Sequence, residues 1–78
     1  MSPRLPRISG QQAIRAFARV GYEVIRQRGS HIRLRHPTDP SRLPVTIPNH
    51  RELKQGLLRR LIADARLTVG EFSQLLDG

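Results

Sequence analysis

Ile14, Phe17 and Ala18 fall three and four residues apart, and Ser9 stands where an N-terminal cap belongs. This spacing predicts an amphipathic helix from about Gly10 to Val20, ended by Gly21. The period then changes. YEVIRQR is rich in strand formers, the next Arg-Gly step is a turn signal, and SHIRLRH alternates apolar and polar, which predicts a β-hairpin over residues 22–36. PTDPSR breaks the chain again, and LPVTI, with Val45 and Ile47 on one face, predicts a third short strand ending at Pro48. From Leu53 onward Leu57, Leu58, Leu61, Ile62 and Ala65 form a helical stripe that leaves Arg59, Arg60 and Asp64 to solvent. Thr68 with Glu71 matches a capping box for a last helix whose apolar face is Phe72, Leu75 and Leu76.

The order is α-β-β-β-α-α, an α+β fold with a three-stranded antiparallel sheet and helices on one face. No repeat, low-complexity tract or linker divides residues 1–78, which read as a single domain, with residues 1–8, containing Pro3 and Pro6, as a loose basic arm. The second strand decides what the open face carries. Ser30, Ile32 and Leu34 share one parity and His31, Arg33 and Arg35 the other. Burying Ile32 and Leu34 therefore turns the histidine and both arginines outward.

Composition narrows the function classes. A chain of 78 residues with 37% hydrophobic content supports one thin core. It contains no cysteine, which removes disulfides and thiolate metal sites. The N-terminal stretch lacks the apolar run of a signal peptide and no 18 consecutive apolar residues occur, so a cytoplasmic protein without membrane contact is expected. Charge changes the picture most: 14 Lys+Arg against 6 Asp+Glu give a formal +8, which points to nucleic acid or another anionic partner. No HExxH or His/Asp cluster offers metal-ligand spacing, and the scattered carboxylates do not make a two-metal nuclease. The glycines are too dispersed for a phosphate loop, and only Tyr22 is left over for base stacking, so binding led by phosphate and shape is expected. Neither a cofactor nor a small-molecule ligand is called for.

The hairpin segment concentrates the charge. Arg26, Arg28, Arg33 and Arg35 surround Gly29, Ser30 and His31. RNA carries its own nucleophile, the 2′-hydroxyl, so its cleavage needs a proton acceptor or donor near neutrality and cations at the phosphate. Histidine as a residue type titrates in that range and contributes roughly 10²–10⁴-fold as a general acid or base. Arginines at two-residue spacing hold a phosphate bidentately, Gly29 lets the backbone approach it, and the Ser30 hydroxyl can donate to it. The same face serves equally a non-catalytic RNA-binding module or an acidic protein partner, and a lone exposed histidine is often only solvated. His50 is either a second acid or base or a helix-capping group. His36, of the wrong parity and before Pro37, reads as structural.

Several ordered blocks carry a resemblance. Gly21-Tyr22, Arg28-Gly29-Ser30-His31, the run Val45-Thr46-Ile47-Pro48-Asn49-His50, and Leu53-Lys54-Gln55-Gly56-Leu57-Leu58 together resemble the HicA toxin family of bacterial and archaeal toxin–antitoxin pairs, from Ser9 to Leu76. The chain departs from the family's pattern at Leu57, where threonine is common, and in a Val-to-Pro spacing one residue longer than the tightest form. The resemblance implies a double-stranded-RNA-binding-domain-like fold, mRNA interferase activity without a metal, a stress-response role, and a HicB-type antitoxin covering the active face. It also places the catalytic role on His31.

Overall fold

The computed structural model describes residues 5–77 and has the expected order: α1 (Gly10–Ala18), β1 (Glu23–Arg28), β2 (His31–Arg35), β3 (Val45–Pro48), α2 (Gln55–Asp64) and α3 (Val69–Asp77). The strands form one antiparallel sheet in the order β1-β2-β3. Ile32 and Leu34 of β2 and Val45 and Ile47 of β3 are buried with Phe17, Leu58, Ile62 and Phe72 from the three helices. All six residues of β1 are exposed, so that strand projects past the helical layer.

Each helix start follows from its side chains. Ser9 Oγ accepts the Gln12 N–H at 3.1 Å while Gln12 Oε1 accepts the Ser9 N–H at 2.9 Å, a reciprocal box that satisfies two donors at the α1 N-terminus. Thr68 and Glu71 form the same arrangement at α3, at 2.8 and 3.0 Å. Phe17 sits at the centre of the core, 5.1 Å from the Phe72 ring and 5.6 Å from Tyr22, both tilted as aromatic pairs prefer.

Several expectations change in detail. The loose arm expected over residues 1–8 does not extend to Leu5 and Ile8, which are 6% and 5% exposed in the core; residues 1–4 lie outside the described residues. Ile8 O accepts the Leu53 N–H at 2.8 Å and Leu5 O the Gln55 side chain at 3.2 Å, which straps this segment to the start of α2. On α1 the inward positions are Ala13, Ala16 and Phe17, whereas Ala18 is exposed. Small residues there let the helix approach the sheet, a packing effect that spacing of large side chains does not report. Leu53 is buried but precedes α2. Tyr22 is only 3% exposed and is core, not a stacking surface. Its hydroxyl donates to Leu43 O at 2.7 Å, and burial raises its pKa.

Helices α1 and α2 end alike. Tyr22 N–H reaches Phe17 O and Gly21 N–H reaches Ala18 O; correspondingly Leu67 N–H reaches Ile62 O and Arg66 N–H reaches Ala63 O. This closing pair requires a left-handed residue. Gly21 supplies it at φ 105°, but at α2 the position belongs to Arg66, at φ 63°. Relief of that strain by Arg66→Gly is expected to stabilise the fold by about 1 kcal/mol, a rise of roughly 4–8 °C in Tm for a domain of this size. A thermal melt followed by circular dichroism checks it.

Acid acts on the loop at Asp39 and on the first turn of α3. Hydrogen bonds from the Ser41 hydroxyl and N–H hold Asp39 below its ordinary 3.8, and those from Thr68 hold Glu71 below its ordinary 4.5. Lowered carboxylates contribute stability that is present above the ordinary values and lost as pH falls through the folded ones. Melts taken from neutral pH into this acid range should show Tm dropping there. Thr68→Ala should make the drop shallower.

Candidate nucleic-acid interface

The hairpin is built on a two-residue turn. Gly29 has φ 54° while Ser30 stays in the ordinary negative range, the pattern of a type II′ turn, which matches the twist of the flanking strands. From it the ladder sets Arg28 opposite His31, Gln27 opposite Ile32 and Arg26 opposite Arg33. Continued without interruption, that register would oppose Ile25 to Leu34 and Val24 to Arg35. A bulge at Ile25 instead brings Val24 against Leu34 and Glu23 against Arg35.

Side-chain parity follows this ladder. Ile32 and Leu34 are buried at 4% and 0% exposure, whereas His31 and Arg35 are exposed and Arg33 half-buried. The imidazole stands on the open face between Arg28 on one side and Pro48 on the other. Arg26, Arg28, His31, Arg33 and Thr46 line a depression of about 150 Å³. Its lining contains three guanidinium groups and no carboxylate. One of them is held in place: Arg33 Nη1 donates to Thr46 Oγ1 at 2.9 Å across the β2–β3 pair.

Four of the expected site residues, Arg26, Arg28, His31 and Arg33, therefore come together. Ser30 and Arg35 do not line the depression. Ser30 contributes its carbonyl, which accepts the Asn49 N–H at 2.6 Å, and Arg35 lies opposite Glu23 at the far end of the ladder. Thr46 was not among the expected residues. Its signal lay in the alternation of Val45-Thr46-Ile47, which puts the hydroxyl on the face opposite to the two buried neighbours.

The end of β3 is clamped beside the turn. Asn49 Oδ1 accepts from Gln11 Nε2 at 3.0 Å, and His50 O accepts the Gly10 N–H at 2.9 Å. The contact is close: a methyl built on Gly10 would lie 2.1 Å from the Pro48 carbonyl oxygen. The exposed His50 imidazole neither caps α2, whose N-cap position is Lys54, nor lines the depression; only its backbone carbonyl is engaged, at the start of α1. His36 is structural. Its Nδ1 accepts the Asp39 N–H at 3.0 Å, which leaves the proton on Nε2 to donate to Val20 O at 2.7 Å, with the ring edge-on to Tyr22. Among the described residues no three His, Cys, Asp or Glu side chains group as metal ligands, and no helix is long and apolar enough to cross a membrane.

Residues 10–67 match the family model described as the HicA toxin of bacterial toxin–antitoxin. The chain belongs to the HicA toxin family. Comparison with curated proteins finds no match. The matched segment of this HicA-family chain begins at the first residue of α1 and ends just past α2, so it includes the whole depression and the clamp that holds it. Helix α3 lies beyond the match and adds Phe72 to the core. Membership makes this chain the toxin of a toxin–antitoxin system and implies an antitoxin partner.

Proposed function

We propose that this HicA-family toxin is a metal-independent endoribonuclease acting on mRNA in the cytoplasm, with His31 as its general acid or base. The observation that carries this reading is the outward parity of β2, which sets His31 in a depression lined by Arg26, Arg28 and Arg33. A phosphodiester seated there meets cations on both rungs of the hairpin, which favour the charge that builds on its non-bridging oxygens. Arg33, held by Thr46, binds without first having to be ordered. Arg35 and the Ser30 hydroxyl lie outside the depression and extend the contact along the strand.

In this reaction the RNA 2′-oxygen forms the new bond to phosphorus and the bond to the 5′-oxygen breaks. The 2′-hydroxyl gives up a proton and the leaving 5′-oxygen gains one; His31 serves one of these two transfers. The products are a 2′,3′-cyclic phosphate and a 5′-hydroxyl end. A HicB-type antitoxin fits as the protein that silences the site.

The test is incubation of purified toxin with mRNA in EDTA, beside a DNA of the same sequence. RNA is expected to be cut and DNA left intact, because DNA lacks the nucleophile. A non-catalytic RNA-binding module would instead give salt-sensitive binding, with a slope set by the phosphates neutralised, and no product.

A further inference from the structure

The site occupies the open face of the hairpin, but the hairpin has a second unused surface, its outer edge. Strand β1 ends the sheet, so the side of it turned away from β2 has no neighbouring strand among the described residues. All six of its residues are exposed, including two large apolar ones, Val24 at 54% and Ile25 at 50%. Both sit at the bulge. RNA has no use for a row of backbone donors and acceptors beside an adjacent apolar pair.

We infer that this edge receives a β-strand of the antitoxin, acidic at alternate positions and apolar opposite Val24 and Ile25. The backbone supplies the register. Across a two-residue turn Arg28 and His31 form a hydrogen-bonded pair, so the alternation of an antiparallel ladder turns the N–H and C=O of Gln27, and beyond the bulge those of Val24, away from β2. Strand addition satisfies those groups, and side-chain pairing confers the choice of partner.

Charge decides which strand is accepted. Arg26 and Arg28 lie on β1 and Arg33 and Arg35 on the strand behind it, against the single carboxylate Glu23. A second copy of this chain would bring the same four arginines and a net +8 to the contact. An acidic strand meets the opposite condition. An added strand runs about 4.8 Å outside β1, and its open-face carboxylates then reach Arg26 and Arg28, two of the cations lining the depression. Docking at the edge thereby competes with phosphate for cations of the face.

This inference depends on family membership and on the sheet edge, not on the ribonuclease reading, and its test does not use cleavage. The toxin is co-expressed with its antitoxin, and amide hydrogen exchange is compared between the complex and the free toxin. Protection is expected at the amides of Val24 and Gln27 in the complex, and Ile25→Asp is expected to weaken antitoxin binding by about tenfold or more. Ile25 is exposed, so the variant should keep the wild-type melt. As a second variant, Ile25→Val should retain wild-type affinity. If the amides of Val24 and Gln27 exchange equally fast with and without the antitoxin, the proposal is overturned. Protection of the same amides in concentrated free toxin, with a dimer in sedimentation, overturns it in favour of a second copy.

Discussion

Replacing His31 by alanine is expected to lower the rate of RNA cleavage by roughly 10²–10⁴-fold while leaving the fold intact. The two halves of this result come from different features. The rate falls because no other imidazole lines the depression: His36 is engaged by Val20 and Asp39, and His50 is tied through its backbone to Gly10. Stability holds because the side chain is exposed and makes no packing contact in the core, so the change in unfolding free energy should stay within about 0.5 kcal/mol. RNA binding should fall far less than turnover. Single-turnover cleavage in EDTA, a filter-binding titration and a melt separate the three quantities. An alanine variant that cuts at the wild-type rate would remove His31 from the chemistry, and one that cuts slowly only because it no longer binds would make it a contact residue.

The largest effect on stability is expected at Leu34. Its side chain is fully buried in the central strand, opposite Val45 on one side and Val24 on the other. Leu34→Ala removes that packing and leaves a cavity, a loss of about 2–5 kcal/mol. A chain of this length has roughly 4–12 kcal/mol in total, so the variant should be partly unfolded at 37 °C or melt far below wild type. Urea titration should show a lower midpoint with an unchanged slope. The next residue provides the control: Arg35→Ala, on the opposite face, should shift stability by no more than about 0.5 kcal/mol. This contrast between neighbours tests the parity on which the site depends, and does so without reference to any activity.

That parity was legible because strand side chains alternate strictly and only one assignment buries two large apolar residues. His31-Ile32-Arg33-Leu34-Arg35 leaves no choice: turning the strand over would bury an imidazole and two guanidinium groups without partners. Helix α1 was legible in position but not in detail. Its face is marked by Ala13 and Ala16, whose small size matters only once the distance to β3 is known. The burial of Leu5 and Ile8 was not legible either, since two prolines and two arginines over residues 3–7 resemble a solvated arm until the α2 start that accepts them is in place.

Local periodicity and net charge, carried by the sequence alone, determined the order of elements, the open basic face and the outward direction of His31. Both are properties of neighbours within a few residues, or of the whole chain at once. The tertiary structure alone decided that Thr46 holds Arg33, that Asn49 closes onto Ser30, and that a bulge at Ile25 sets Val24 under Leu34. These are pairings between segments whose separation along the chain says nothing about their distance in space, and they exist only after the core has drawn the strands and helices together.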